Sequence, residues 1–294
     1  MHKSDQIAVI TAVGGIVEGD APEGAIGGKS LPTLIRTARL DSDVKAIVLR
    51  IDSGGGSKTA SENIRVELEA AQDSGIPVVA SMGSIAASGG YWIAASADEI
   101  WASPTTITGS IGIFGFLPTF EKTLANYGVY TDGVATTPIA GGASAIRGIS
   151  PAYGEVLQSV VEAGYEQFLN TVAEGRNMDV DAVHEVAQGR IWTGKKAQQL
   201  GLVDEMGDLE QAISSAARLA DIEDYSVWHV ERELSVEEQL LRQFAETTSS
   251  SLPKITSNLI SRMTNMVRRE FGFLEHLNDP NHAYVICGNC PVLP

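Results

Sequence analysis

Ser88 is the side chain of this sequence best placed to act as a nucleophile. It stands in an uncharged run of small residues, Ala80-Ser-Met-Gly-Ser-Ile-Ala-Ala-Ser-Gly-Gly-Tyr-Trp-Ile93, directly before the pair Gly89-Gly90. The apolar stretch Ile76-Pro-Val-Val-Ala80 leads into that run. A buried strand that turns sharply into a helix at this point would expose the Ser88 hydroxyl. Glycines suit such a turn because they tolerate unusual backbone angles and let a substrate carbonyl approach the main chain. A helix starting at Gly89 would also aim unpaired N–H groups at developing negative charge.

Acyl transfer needs a nucleophile, a base and donors for the oxyanion. Gly89 N–H is one candidate donor, and the turn Ser53-Gly54-Gly55-Gly56 after a second apolar run is the other source. In a parallel sheet both turns lie at the carboxyl ends of strands, where open α/β folds bind ligands, so they are expected to converge. The same glycines would equally serve as tight turns that allow close helix packing. The base is less evident. The five histidines, His2, His184, His229, His276 and His282, form no compelling local pattern. A lysine desolvated until it is neutral is the known substitute. Lys58, Lys122, Lys195 and Lys196 are the candidates within the chain, and Lys58, just after the glycine-rich turn, is the nearest in sequence to the inferred site. Thr106 to Phe114 alternates small and apolar residues. That pattern fits an extended segment able to pair with a substrate backbone, and equally an interior strand.

The elements that must position these groups read as alternating strands and helices. Strands are expected over Ile7–Val13, Ala46–Ile51, Pro77–Ser81, Glu99–Ala102 and Val129–Gly133, and helices over 31–40, 60–71, 118–127, a long stretch from Tyr153 to Val172, 180–187, 194–200 and 209–220. Alternation of this kind predicts a mostly parallel sheet with crossover helices. Residues 1–220 are expected to form one α/β domain and residues 221–294 a C-terminal extension, peripheral over its last forty residues, with a charged helix at 236–246 and a linker at 247–251. Leu252, Ile255, Leu259, Met263 and Met266 mark an apolar face in that extension, bordered by Arg262, Arg268 and Arg269, which suits packing on a neighbouring subunit more than attachment to a membrane surface.

A chain of 294 residues with 44% apolar and 20% charged side chains is globular. Its net charge of −16 argues against nucleic acid as a general partner. Only Cys287 and Cys290 are present, so no disulfide framework is expected. The Cys-x-x-Cys spacing leaves a half zinc site, a redox pair or neither open. Residues 74–97 and 100–120 are uncharged enough to mimic membrane spans, but their proline, glycines and hydroxyls favour buried strand-turn-helix units. Met1-His-Lys-Ser-Asp5 is not a basic region before an apolar block, so no leader or anchor is expected in these residues.

Ala86-Ala-Ser-Gly-Gly-Tyr-Trp-Ile93, Thr108-Gly-Ser-Ile-Gly-Ile-Phe-Gly115, Gly189-Arg-Ile-Trp-Thr-Gly194 and Gly201-Leu-Val-Asp204 with Gly207 together resemble the signal peptide peptidase A (protease IV) family. The closing Leu277-Asn-Asp-Pro280 and Cys287-x-x-Cys290 further resemble the end of the long form, which contains two repeats. The resemblance implies a Clp protease/crotonase-like fold, a membrane-associated homo-oligomer facing the bacterial periplasm, no cofactor or metal, and a Ser-Lys dyad that cleaves hydrophobic peptides such as released signal peptides. It gives Ser88 the nucleophile's role, and Gly89, Gly55, Gly56, Thr108, Gly109 and Ser110 roles in oxyanion or substrate binding.

Two departures stand out. Asp52-Ser-Gly-Gly-Gly56 replaces the family's usual Asn-Ser-Pro-Gly-Gly. The family's short members carry the lysine shortly before a Ser-Pro, whereas Ala143-Ser-Ala-Ile-Arg-Gly-Ile-Ser-Pro151 has none, and Arg147 cannot act as a base because guanidinium stays protonated. In the long form the lysine comes from the N-terminal repeat. These residues are therefore expected to carry Ser88 without its base and to hydrolyse peptides poorly alone. The other readings are a crotonase-like acyl-thioester binder and a non-catalytic repeat that builds an oligomer.

Overall fold

Strand β1 (Asp5–Val13) alternates its side chains between two apolar layers, which is what a strand buried on both faces requires. Ala8, Ile10 and Ala12 face one layer, and Ile7 and Val9 the other. The computed structural model describes residues 5–21, 24–137, 139–231, 277–288 and 290. After β1 come β2 (Gly15–Val17), β3 (Ala25–Gly27), α1 (Ser30–Leu40), β4 (Val44–Ser53), β5 (Gly55–Ser57), α2 (Lys58–Asp73), β6 (Val78–Ala87) and the single turn α3 (Gly89–Trp92). Next are β7 (Glu99–Ala102), β8 (Ile107–Gly109), β9 (Phe114–Gly115), α4 (Glu121–Asn126), β10 (Ala143–Ser144), β11 (Gly148–Ile149) and the long α5 (Pro151–Arg176). The remainder is α6 (Val180–Val186), β12 (Ile191–Thr193), α7 (Gly194–Gln199), β13 (Glu205–Met206), α8 (Leu209–Leu219), β14 (Tyr225–His229) and β15 (Ala283–Ile286).

The main sheet runs β12-β8-β6-β4-β1-β14, with β7 and β13 attached beside β6. Its pairings are parallel except β12 with β8. The expected α/β class with a mostly parallel sheet is thus what the chain forms. Helix α8 covers one face through Ala212, Ala216 and Ala217. Leu31 and Ile35 of α1, Ile64 and Leu68 of α2, and Phe168 and Val172 of α5 cover the other. The caps follow local chemistry. Ser150 Oγ accepts from Tyr153 N before Pro151 at the start of α5, and Asp208 with Gln211 forms a capping box on α8. Among the described residues no helix is long and apolar enough to cross a membrane. Residues 74–97 instead contribute β6 and α3, and residues 100–120 contribute β7, β8 and β9.

A second sheet, β3-β2-β5-β15-β9, changes the expected picture of the tail. Ala283–Ile286 was expected in a peripheral extension, yet it pairs with β5 on one side and β9 on the other, and Val285 is in the core. Tyr225–His229 likewise closes the edge of the main sheet against β1. Cys287 and Cys290 are joined by a disulfide across three residues, a local link of the kind a redox pair forms and not a framework that ties distant parts of the fold. The expected strand over Val129–Gly133 is irregular backbone, and residues 126–137 are exposed throughout. A strand gains its stability from a neighbour, and this segment has none to pair with among the described residues. The expectations for 236–246, 247–251 and the apolar face from Leu252 to Met266 lie outside the described residues.

Candidate active site

Strand β6 runs past Ser81 to Ala87 and delivers Ser88 at its carboxyl end. Its register against β4 shifts between Ile51, opposite Met82, and Ser53, opposite Ala86. The extra residues form a bulge, held by Asp52 Oδ1, which accepts from Ile85 N (3.0 Å), and by Thr106 Oγ1, which donates to Gly83 O (2.7 Å). A bulge of this kind re-aims the strand end. Asp52, the acid that departs from the family's usual asparagine, therefore serves as a backbone acceptor.

Ser88 has φ 54° and ψ −113°, a conformation that side chains rarely adopt. Such a residue stores on the order of 1–3 kcal/mol of strain, and it persists only where its surroundings hold it. Here Ser88 N donates to Gly109 O (2.8 Å), and Trp92 N donates to Ser88 O (2.8 Å). Ser88 Oγ is buried without a hydrogen-bond partner. No described lysine or histidine lies within bonding reach of it.

The expected site residues divide into two groups. Ser88, Gly89, Gly55 and Gly109 are brought together. Gly109 O holds Ser88 N, and a Cβ on Gly89 would lie 3.0 Å from Gly55 Cα. Ser110 lines an adjacent cavity of about 420 Å³ with Gly112, Ile113, Phe114, Tyr165 and Ile286. Thr108 and Gly56 are used differently. The Thr108 hydroxyl donates to Ala86 O (2.7 Å) inside the sheet, and Gly56 sits in the ladder between Ile16 and Val285. The Gly55 N–H, expected as an oxyanion donor, is held by Ser53 Oγ (3.1 Å). Helix α3 is a single turn, so its start contributes individual N–H groups and no appreciable macrodipole.

The expected exposure of Ser88 is overturned: the residue is 1% exposed. Strand β15 is the missed element at the site. A Cβ on Gly55 would lie 1.9 Å from Val285 O and 2.6 Å from Gly89 N, so the Val285 carbonyl runs directly beside the Gly55 and Gly89 backbone. Asp279 anchors this segment, accepting from Ser57 Oγ (2.6 Å) and Thr59 N (2.9 Å). Its sequence signal is the run Ala283-Tyr-Val-Ile286 between Asn-Asp-Pro and glycine, a short strand pattern.

The in-chain lysines are engaged elsewhere or exposed. Lys58 Nζ donates to Gln167 Oε1 (2.5 Å) and lies 5.7 Å from the centre of the Trp92 ring, while Lys122 and Lys195 are exposed and Lys196 Nζ reaches Gln199. His184 meets the Tyr165 ring edge-on, their Nδ1 and Oη atoms 3.0 Å apart. Trp92, buried against Phe168 with ring centres 4.4 Å apart, donates its Nε1 to Glu62 (2.8 Å). Burial pushes the Glu62 carboxyl up, but the bonds from Arg65 and Trp92 and the charges of Arg65 and Lys58 hold it below its ordinary value of 4.5. A carboxyl depressed in the fold contributes stability above its unfolded pKa, and that contribution is lost as the pH falls through the folded value. Glu62→Gln is therefore expected to flatten the loss of stability below about pH 4.5, read from urea midpoints across an acid series.

Residues 70–223 match the pattern of peptidase family S49. Protease 4 of Salmonella typhi is 42% identical over 289 residues, covering 97% of this chain and 46% of that protein. Protease 4 of Haemophilus influenzae is 39% identical over 293 residues, covering 97% of this chain and 47% of its own length. The chain thus spans about half the length of these relatives. Among solved structures, a point mutant of ClpP1 from Listeria monocytogenes overlaps with a TM-score of 0.46 and 13% identity, over 70% of this chain and 94% of that one.

Proposed function

The chain belongs to peptidase family S49, and from that premise we propose that it carries the nucleophile Ser88 of a serine endopeptidase whose base is a lysine from an N-terminal repeat outside these 294 residues. The observation that carries this reading is Ser88 itself: a strained residue at a strand end, its Oγ buried and unpartnered, beside the backbone of Gly89 and Gly55. A buried hydroxyl left without a partner costs stability in a finished fold, and a docked lysine amine would supply one. The substrate is a hydrophobic peptide such as a released signal peptide, and the working assembly is a homo-oligomer on the periplasmic side of a bacterial inner membrane.

In this mechanism a neutral lysine amine takes the Ser88 proton while Oγ bonds to the scissile carbonyl carbon. The carbonyl oxygen becomes an oxyanion and is met by the Gly89 N–H. The proton passes from the lysine to the leaving amine as the C–N bond breaks. Water then repeats the sequence on the acyl-enzyme, giving the acid and freeing Ser88. Gly109 O and Asp52 keep the nucleophile's backbone aimed, and the cavity beside Ser110 takes an apolar side chain.

The test is complementation. The 294-residue chain alone is expected to turn over a quenched fluorogenic apolar peptide at a barely detectable rate. Mixed or co-expressed with a family N-terminal repeat that carries the lysine, it is expected to gain activity by about two orders of magnitude or more, and the same repeat with that lysine changed to alanine should give no gain. Full activity of the chain alone that survives replacement of every histidine would overturn the reading.

A further inference from the structure

The lane between β5 and β9 beside Gly55 is filled by a segment of this chain. Strand β15 lies between β5 and β9, with Tyr284 opposite Ser57, Val285 opposite Gly56 and Ile286 opposite Gly55 on one side. Tyr284 opposite Phe114 and Ala283 opposite Gly115 complete the other side. Cys287 N donates to Gly54 O (2.8 Å), and Phe116 N donates to His282 O (3.1 Å), extending contact at both ends. An extended peptide recognised by strand addition would make this set of main-chain bonds, with pockets selecting its side chains.

We propose that residues 283–287 are an intramolecular pseudosubstrate that must leave the lane between Gly55–Ser57 and Phe114–Gly115 before a peptide can reach Ser88. This rests on the reading of Ser88 as a nucleophile and adds how its site is closed and what it accepts. The Val285 carbonyl runs beside Gly55 and Gly89, where a scissile carbonyl has to sit to meet the Gly89 N–H. Ile286, with Gly288, helps line the cavity formed by Ser110, Ile113, Phe114 and Tyr165. Ile113, Phe114 and Val161 give that cavity an apolar side, which the departure of Ile286 would widen. The ligand class is an extended peptide with aliphatic residues at the positions of Val285 and Ile286 and no charge between them.

The hold on the lane combines the buried side chains of Tyr284 and Val285 with a set of polar anchors. Asp279 bonds Ser57 Oγ and Thr59 N and also accepts from Asn281 N (2.8 Å). Asn278 and Glu18 exchange bonds at the surface. Asp279→Ala removes the first set, and Ile286→Asp disfavours the seated residue. A site that is open only part of the time binds with an affinity reduced by the open fraction, so raising that fraction raises the apparent affinity.

The probe is a fluorescent peptide with the sequence of residues 281–288, serine replacing its cysteine, titrated against the full chain by anisotropy. Asp279→Ala and Ile286→Asp are each expected to bind it at least about tenfold more tightly than the unaltered chain, and a probe carrying aspartate in place of its valine should bind none of them. Folded variants that bind no more tightly would overturn the proposal. Should either variant unfold, amide exchange in the unaltered chain decides: excess probe is expected to speed exchange at Tyr284–Ile286, and unchanged protection under saturating probe overturns it. Binding needs no base. Probe binding without hydrolysis in the complemented protein would therefore fault the peptidase reading alone, while hydrolysis with Tyr284–Ile286 still protected would fault the pseudosubstrate alone.

Discussion

Ser88→Ala is expected to lower kcat of the complemented protein by roughly 10⁴-fold or more while leaving the fold as stable as before or slightly more so. The two halves of this expectation have separate causes. In the proposed mechanism Oγ is the atom that bonds to the carbonyl carbon, so nothing remains to attack once it is removed. In the chain as described, however, that oxygen is buried with no partner, and deleting an unsatisfied buried hydroxyl relieves a desolvation cost of about 1–3 kcal/mol against the loss of a few packing contacts. Alanine keeps the strained backbone at φ 54°, so the geometry of the turn is retained. Turnover of the complemented protein and calorimetric Tm of the 294-residue chain alone read the two effects. Retained turnover would favour a site that only holds a carbonyl, as in the acyl-thioester reading. A fall in Tm of many degrees would mean that Oγ has a structural partner.

The sequence made the centre of this site legible and left its cover hidden, for physical reasons. Strands such as Ile7–Val13 and Glu99–Ala102 announce themselves because burial on one or both faces dictates their residues locally. Ser88 was legible for a related reason: small residues and a glycine pair are what a tight strand-to-helix turn demands. Strands β2, β5 and β15 are three or four residues long and exist because of what lies beside them, so no window of sequence contains their cause. The side chains that join the tail to the site, Ser57 and Asp279, are 222 residues apart. Val129–Gly133 fails in the opposite sense, having the residues of a strand and no neighbour. Thr106–Phe114, which fitted two descriptions, divides between them: Ile107–Gly109 is interior to the main sheet, and Phe114 begins the edge that pairs with an extended segment. Thr108 matched a family motif, but its hydroxyl holds Ala86, which a motif alone cannot distinguish from a substrate contact.

Gly55→Ala is expected to cost about 3 kcal/mol or more, or to expel β15 from its place, whereas Gly54→Ala one residue earlier should cost about 0.5 kcal/mol or less. At Gly55 the backbone has φ +99°, where an L side chain is strained whatever the space. The added methyl would also stand 1.9 Å from Val285 O and 2.6 Å from Gly89 N, both main-chain atoms that cannot swing aside as a flexible side chain would. The chain has two ways to respond. If β15 holds, the turn, Gly89 and the strand shift together, and Tm falls by several degrees for the whole protein. If β15 yields, the cost is confined to the second sheet, Tyr284–Ile286 lose amide-exchange protection, and the main sheet keeps its own. At Gly54 a Cβ meets nothing within 4 Å and φ lies outside the left-handed range, so neither penalty applies. Thermal denaturation of both variants with residue-resolved exchange separates these responses. Equal, small losses at the two positions would mean that Val285 does not pack against this turn in solution, which would remove the contact on which the pseudosubstrate rests.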